Sequence, residues 1–313
     1  MSADINSREL IGTFYKTLEQ DIGASWMPAL SMLQQSDQGS ETYNWLGQTP
    51  AMREWVGGRN AKGFDTSGIT IANKHFEATL EILIKDLRRD KSGQVEVRIR
   101  ELAQRANGHW ASLLSTLIVA GTSTDCYDGQ YFFDTDHEEG DSGAQSNDIS
   151  VNISALPAAV HGVATAPSPE EMQQCIMQGI GAITGFVDNQ GEPMNENAQK
   201  FLVMVPPSLY IPATNALTMP RGTGVSEQQS GKFNVEVVSN ARLSSDWTDE
   251  FAVFRADGGV KPFIRQQETA VKMSAKAEGS EFAFDKSAHQ YGIDAWRDVG
   301  YGFWHQACLV TMT

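Results

Sequence analysis

Between Val95 and Ala120 the apolar side chains recur at helical spacing for about seven turns. Val95, Ile99, Leu102, Ala106, Trp110, Leu113, Leu114, Leu117 and Ile118 form one continuous stripe, and Gly121 follows as a stop. At 1.5 Å per residue the segment makes a rod of about 39 Å. A rod that long needs apolar surface laid along it, so it fixes a spine for the fold. Any long core helix of an α/β protein carries the same stripe, and the stripe by itself leaves the architecture open.

Upstream, residues 5–35 read as an amphipathic arm: Leu10, Phe14 and Leu18 recur at helical spacing, and Trp26, Met27 and Leu30 continue after Gly23. From Gln34 to Pro50 the chain turns polar, as a linker or an extended crossing does. Arg53 to Gly68 carries glycines at 57, 58, 63 and 68, and Ile69–Ile82 then alternates apolar and polar residues. The parity of that alternation changes at Asn73-Lys74-His75, which predicts a bulge or bend in one long strand. Together these segments predict a long β-hairpin with a polar, glycine-rich tip. Such a hairpin buries no core of its own and needs a neighbour.

Downstream, Gly121–Pro167 is rich in Asp, Ser, Gly, Ala and Asn and reads as irregular. Ser168-Pro169-Glu170-Glu171 is a capping box, opening a helix that buries Met172, Ile176, Ile180 and Ile183. Lys200–Tyr210 reads as a buried strand stopped by Pro206 and Pro207. Further strands are expected at Phe233–Val238, Phe251–Arg255, Gln267–Met273, Phe282–Phe284 and at the C-terminus. In the terminal strand Gly300 and Gly302 alternate with Tyr301 and Phe303, a pattern that admits a close backbone neighbour. The mixed order of elements reads as α+β.

The chain's net charge of −15 is unevenly placed. No lysine or arginine lies between Arg105 and Lys200, where thirteen acids stand, whereas residues 53–105 hold 11 basic against 8 acidic residues. No basic stripe of the kind that binds bulk nucleic acid appears. Complementary charge between segments of one chain can steer identical copies together, and a solvated acidic surface is the plainer alternative. No apolar run has bilayer-spanning length, and the opening residues lack a signal peptide's apolar stretch, so a cytosolic product is expected. Cys126, Cys175 and Cys308 are distant and odd in number, which supports buried thiols over disulfides or a thiolate zinc site.

Asp134-Thr135-Asp136-His137-Glu138-Glu139 is the segment most like a catalytic one. Its alternate aspartates face one way in an extended chain and suit a hard divalent cation. It lacks the loop spacing of an EF-hand, and the nearest other histidines, His109 and His161, are more than twenty residues away. A structural turn is therefore the expectation. Nucleophile motifs are absent, and Gly57-Gly58 and Arg221-Gly222-Thr223-Gly224 do not lie between a strand and a helix as phosphate cradles do.

Four blocks in order, MREWVGGRNAKGF (Met52–Phe64), ITIANKHFEATLEI (Ile69–Ile82), YDGQYFFDTDH (Tyr127–His137) and YGIDAWRDVGYGFWHQA (Tyr291–Ala307), resemble the major head subunit of Mu-like phages and prophages. The resemblance implies the tailed-phage major capsid fold, the Hong Kong 97 fold. Its expected parts are an N-terminal arm (1–51), an extended hairpin loop (52–84), the spine helix of a peripheral domain (85–124), a mainly axial domain (125–230) and a return to the periphery (231–313). It implies self-assembly into hexamers and pentamers of a virion shell, with a scaffold or protease and a portal as assembly partners. Packaged DNA is held without sequence-specific binding, and no membrane, cofactor, metal or catalysis is expected. Arg53, Trp55, Arg59, Lys62 and Phe64 are the expected inter-subunit contacts. Some members of the wider fold join a loop lysine to a neighbour's asparagine; Lys62 and Lys74 lie in the matching loop, but no partner asparagine or acid can be matched. The rivals are an encapsulin-like host compartment of the same fold and a divalent-metal-dependent hydrolase using Asp134, Asp136 and His137.

Overall fold

The computed structural model describes residues 6–20, 23–44, 68–90, 92–218 and 233–313. The chain opens with helix α1 (Ser7–Gln20), a short α2 (Met27–Leu30) and strands β1 (Ser31–Gln35) and β2 (Ser40–Tyr43). Strands β3 (Ile69–Ala72) and β4 (Lys74–Leu83) and helix α3 (Ile84–Arg89) lead into the rod, helix α4 (Gln94–Val119). Its start is set by Asp90, whose carboxylate accepts backbone N–H bonds from Ser92 (3.1 Å), Gln94 (3.1 Å) and Val95 (2.8 Å). The bond from Val95 is the main reason that carboxyl lies below its ordinary range. At the far end Gly121 does not adopt a left-handed stop. It is needed because a Cβ there would meet the Phe133 ring at 2.5 Å.

Beyond α4 come β5 (Asp148–Val151), α5 (Pro169–Gly185), β6 (Lys200–Val205), α6 (Tyr210–Thr218), β7 (Asn234–Ser239), β8 (Glu250–Arg255), β9 (Phe263–Lys276), α7 (Glu281–Lys286), β10 (Ala288–Tyr301) and β11 (Ala307–Met312). One sheet has the order β1-β9-β10-β4 and another the order β5-β11-β8-β6-β7, while β2 and β3 form a two-stranded ribbon. In the five-stranded sheet β6, β8 and β11 are buried almost throughout, as strands covered on both faces must be. Helix α5 lies against it, and Gly179 allows the approach: a Cβ there would sit 2.8 Å from Val253 Cγ2. The capping box is present, Ser168 Oγ accepting from Glu171 N (3.3 Å) and Glu171 Oε2 from Ser168 N (2.8 Å).

α4 runs through two cores. Its C-terminal half (Trp110, Ala111, Leu114, Ile118) joins the large core, with both faces of the five-stranded sheet and the near ends of β9 and β10. Its N-terminal half (Val95, Ile99, Ala103, Ala106) joins a second, smaller core with Leu10 and Phe14 of α1 and with Ile82, Met273, Tyr291 and Ile293 of the long strands. Between the two sits buried Arg297 of β10. Its Nη2 donates to Ala106 O (3.1 Å), its guanidinium lies 4.8 Å from the Trp110 ring centre, and burial lowers its pKa to about 10.

Three expectations are corrected. The parity change at Asn73 is not a bulge in one strand, since β3 pairs with β2 and β4 pairs with β10. The chain changes sheets there, and the side of the ribbon returning into β3 comes from 40–43, within the segment read as a linker. Phe282–Phe284 is not a strand but the middle of α7. Ser280 caps it by accepting from Ala283 N (3.2 Å), and Phe284 is 87% exposed. The terminal strand is two strands in two sheets. A Cβ on Gly302 would overlap the Lys261 carbonyl, so the bare backbone lets the chain cross there. A tight turn at Trp304–Gln306 then starts β11.

Candidate assembly surfaces

The five residues expected to touch a neighbour, Arg53, Trp55, Arg59, Lys62 and Phe64, lie outside the described residues, as does Lys62's segment as a whole. What is described is the base of the ribbon that leads to them. Across it Tyr43 pairs with Ile69 and Thr42 with Thr70, whose hydroxyls are 2.9 Å apart. The alternation turns Tyr43 and Ile71 inward and leaves Thr42 and Thr70 outside. Tyr43 Oη donates to Gln266 Oε1 (2.8 Å), and the Gln266 amide donates to Ile71 O (3.1 Å) and Asn73 Oδ1 (2.9 Å). Burial, with Glu41 adding to it, pushes the Tyr43 hydroxyl up to about 12, so it stays a donor. Gly300 completes the seat, since a Cβ there would overlap Ile71. The ribbon base is therefore bolted to β9 and β10 through a wholly buried Gln266.

The acidic segment does not assemble a metal site from the expected trio. Asp134 accepts from Tyr131 N (3.1 Å) and Thr135 N (2.7 Å). Asp136 shares its face, and the hydrogen bond with Asp134, then the repulsion between them, raises the Asp136 carboxyl. His137 points the other way, into the protein. Its Nδ1 is 2.6 Å from Asp128 Oδ2, and its ring stacks on Trp304 at 4.0 Å. Two-residue alternation separates the histidine from both aspartates.

Sequence reasoning missed Asp128 and Cys126, whose thiol donates to Asp128 Oδ1 (2.9 Å). The ligand-type atoms of Cys126, Asp128 and His137 lie within 4.8 Å of one another, the one such trio among the described residues. Burial and the adjacent Asp128 push the Cys126 thiol far up, which opposes the thiolate a metal needs. Asp128 spends one oxygen on the thiol and the other on the imidazole. The trio is an internal brace for the loop, which buried Asn147 also holds through Asp134 N (2.8 Å) and Phe132 O (2.8 Å).

Elsewhere, helices α5 and α6 pack together yet leave Met177, Tyr210, Ile211 and Leu217 open to solvent, Ile211 by 70%. Val160 and Val163, on the loop before α5, are also exposed. The buried Glu171 carboxylate holds that loop by accepting from Gly162 N (3.0 Å) and lying 2.9 Å from His161 Nδ1.

A long spine helix between a four-stranded sheet and a separately covered five-stranded one, with a two-stranded ribbon seated on β9 and β10, is the tailed-phage major capsid fold of the Hong Kong 97 type. A subunit from the procapsid of bacteriophage JBD30 shares it with a TM-score of 0.55 at 22% identity, over 97% of this chain and 74% of that one. The pattern of the Mu-like prophage major head subunit gpT family matches residues 8–159 and 223–312, and the chain belongs to that family. The Mu-like prophage FluMu major head subunit of Haemophilus influenzae is 39% identical over 117 residues, which are 37% of this chain and 38% of that protein. The major capsid protein of Escherichia phage Mu is 37% identical over 108 residues, 34% and 35% of the two chains. The chain thus spans little more than a third of the length of each of these curated relatives.

Proposed function

We propose that the chain is the major capsid protein of a Mu-like phage or prophage. Many copies form the hexamers and pentamers of a closed icosahedral head around the DNA genome, and its place is the virion. The family match over most of the chain carries the reading. The ribbon and the exposed apolar side chains of α5 and α6 support it, since surfaces of this kind are covered when copies meet. On this reading the four-stranded sheet with α1 and α4 is peripheral and the five-stranded sheet with α5 and α6 is axial. Strands β7, β8 and β11 then extend the axial part beyond the 125–230 boundary. The extended hairpin loop, expected over 52–84, reaches across the next copy, with Arg53, Trp55, Arg59, Lys62 and Phe64 as the contacts. A scaffold or protease and a portal serve assembly, and the subunit performs no catalysis.

Sedimentation and negative-stain microscopy of the purified chain, alone and with its scaffold, test this. Closed particles, or hexamers and pentamers on the way to them, are expected, and particles from cells should hold DNA. A monodisperse monomer under every condition of salt and pH would contradict assembly. Shells filled with one host protein instead of DNA would favour the compartment reading.

A further inference from the structure

α4 keeps a charged face away from both cores. Arg98 and Arg105 are two turns apart and share that face with Ser112. Arg242, on the short turn after β7, reaches over and donates from Nη1 to Ser112 Oγ (3.2 Å). These side chains and His109 line a cleft of about 610 Å³. Glu101 is the one acid in it, paired with Arg98 at 2.9 Å. Among the described residues Arg105 and Arg242 form no ion pair. Burial, and after it the charges of Arg297 and Arg242, lowers the pKa of His109 to about 4, so it adds no positive charge to the cleft near neutral pH.

The opposite charge gathers past the other end of the helix. Gly121 O accepts from Phe133 N (2.9 Å), so the loop carrying Asp136, Glu138 and Asp141 begins there. Arg105 and Gly121 are sixteen residues apart, roughly 24 Å along a helix. The loop is held in place: Asp141 N donates to Asn189 O (3.1 Å), and Gln145 exchanges two bonds with the Val187 backbone. None of these three acids forms an ion pair among the described residues, and no lysine or arginine occurs from 106 to 199.

We propose that the Arg98–Arg105–Arg242 cleft of one copy receives the Asp136–Asp141 loop of the next. This rests on the head-subunit reading and adds a contact to it. The two patches are opposite in sign and well separated, and each is fixed on a rigid element, so they do not neutralise each other within one chain. A contact between unlike patches is heterologous: it repeats head to tail and closes into a ring when the rotation permits. Opposite charge also steers the encounter and sets its register.

A charge-swap series on the full chain tests the proposal. R105E/R242E and D136K/E138K should each melt like wild type, because all four side chains are on the surface. Each should lower particle yield by about tenfold, the effect of about 1.4 kcal/mol on one association constant. The four changes combined should restore most of the yield. R105C/E138C supplies a second readout, a ladder of disulfide-linked copies on a non-reducing gel. The proposal is overturned if wild type forms shells while the combined variant is no better than the worse half, or if the ladder is missing. It is also overturned if R105E/R242E assembles normally and loses only DNA, which would assign the cleft to nucleic acid. Failure of wild type itself to assemble would instead refute the head-subunit reading.

Discussion

The two cores strung along α4 differ in size and in how their strands are covered. Among the described residues the large core gathers 46 buried apolar side chains and the small one 11. In the large core β6, β8 and β11 are enclosed on both faces. In the small core β4 and the far half of β9 alternate, with one face inward and the other in water. One helix thus serves as an interior element at one end and as a clamp over a one-sided sheet at the other. Opening free energy follows local burial, so the small core is where the chain should yield first.

Matched truncations break or confirm that contrast. Phe254→Ala, in the large core, should cost about 3–5 kcal/mol, as full burial of the ring implies, and lower the melting temperature of the whole subunit. Phe14→Ala removes an equally buried ring from the small core. It should shift the main transition less, while hydrogen exchange in α1 and in residues 95–106 rises sharply. Equal loss of melting temperature, with no local rise in exchange, would mean that the two cores act as one.

Acid sharpens the same contrast with a smaller effect. Burial keeps His305, in the large core, neutral down to about 3, and keeps His109, at the junction, neutral down to about 4. In the unfolded chain both take up a proton near 6.5. The unfolded state therefore binds more protons as pH falls through that window, and stability falls with it. His305→Gln should flatten the fall in melting temperature between pH 6.5 and 4 more than His109→Gln does. The reverse order would place the acid-sensitive point at the junction.

Much of this contrast was legible in the chain. The stripe on α4, the capping box at Ser168 and the buried run of β6 are local patterns, and local patterns survive folding. The glycines at 300 and 302 correctly announced a close neighbour, because an absent Cβ has few other uses between large rings. What was not legible depends on partners distant in sequence. Asn73 marks a change of sheet, yet its parity signal is the same as a bulge's. Phe282–Phe284 has a strand's composition, and the cap at Ser280, four residues long with its bond, decided otherwise. His137 was visible as a candidate ligand, but Asp128, the group that occupies its Nδ1, is nine residues away and carries no motif. The expected contact residues 53–64 fall outside the described residues, and there only the ribbon base bears on them.

On the proposed function, the central division is between a body that folds on its own large core and the segment assigned there to contacts between copies. Replacing Gly57–Gly68 by a short turn tests it most directly, with thermal melting for the fold and electron microscopy for the shells. The segment is distant in sequence from the stripe of α4 and from the strands of the five-stranded sheet. The variant should therefore melt cooperatively, close to wild type, while its particles fail to form or fall apart. A variant that melts like wild type and still builds normal, stable shells would contradict the account.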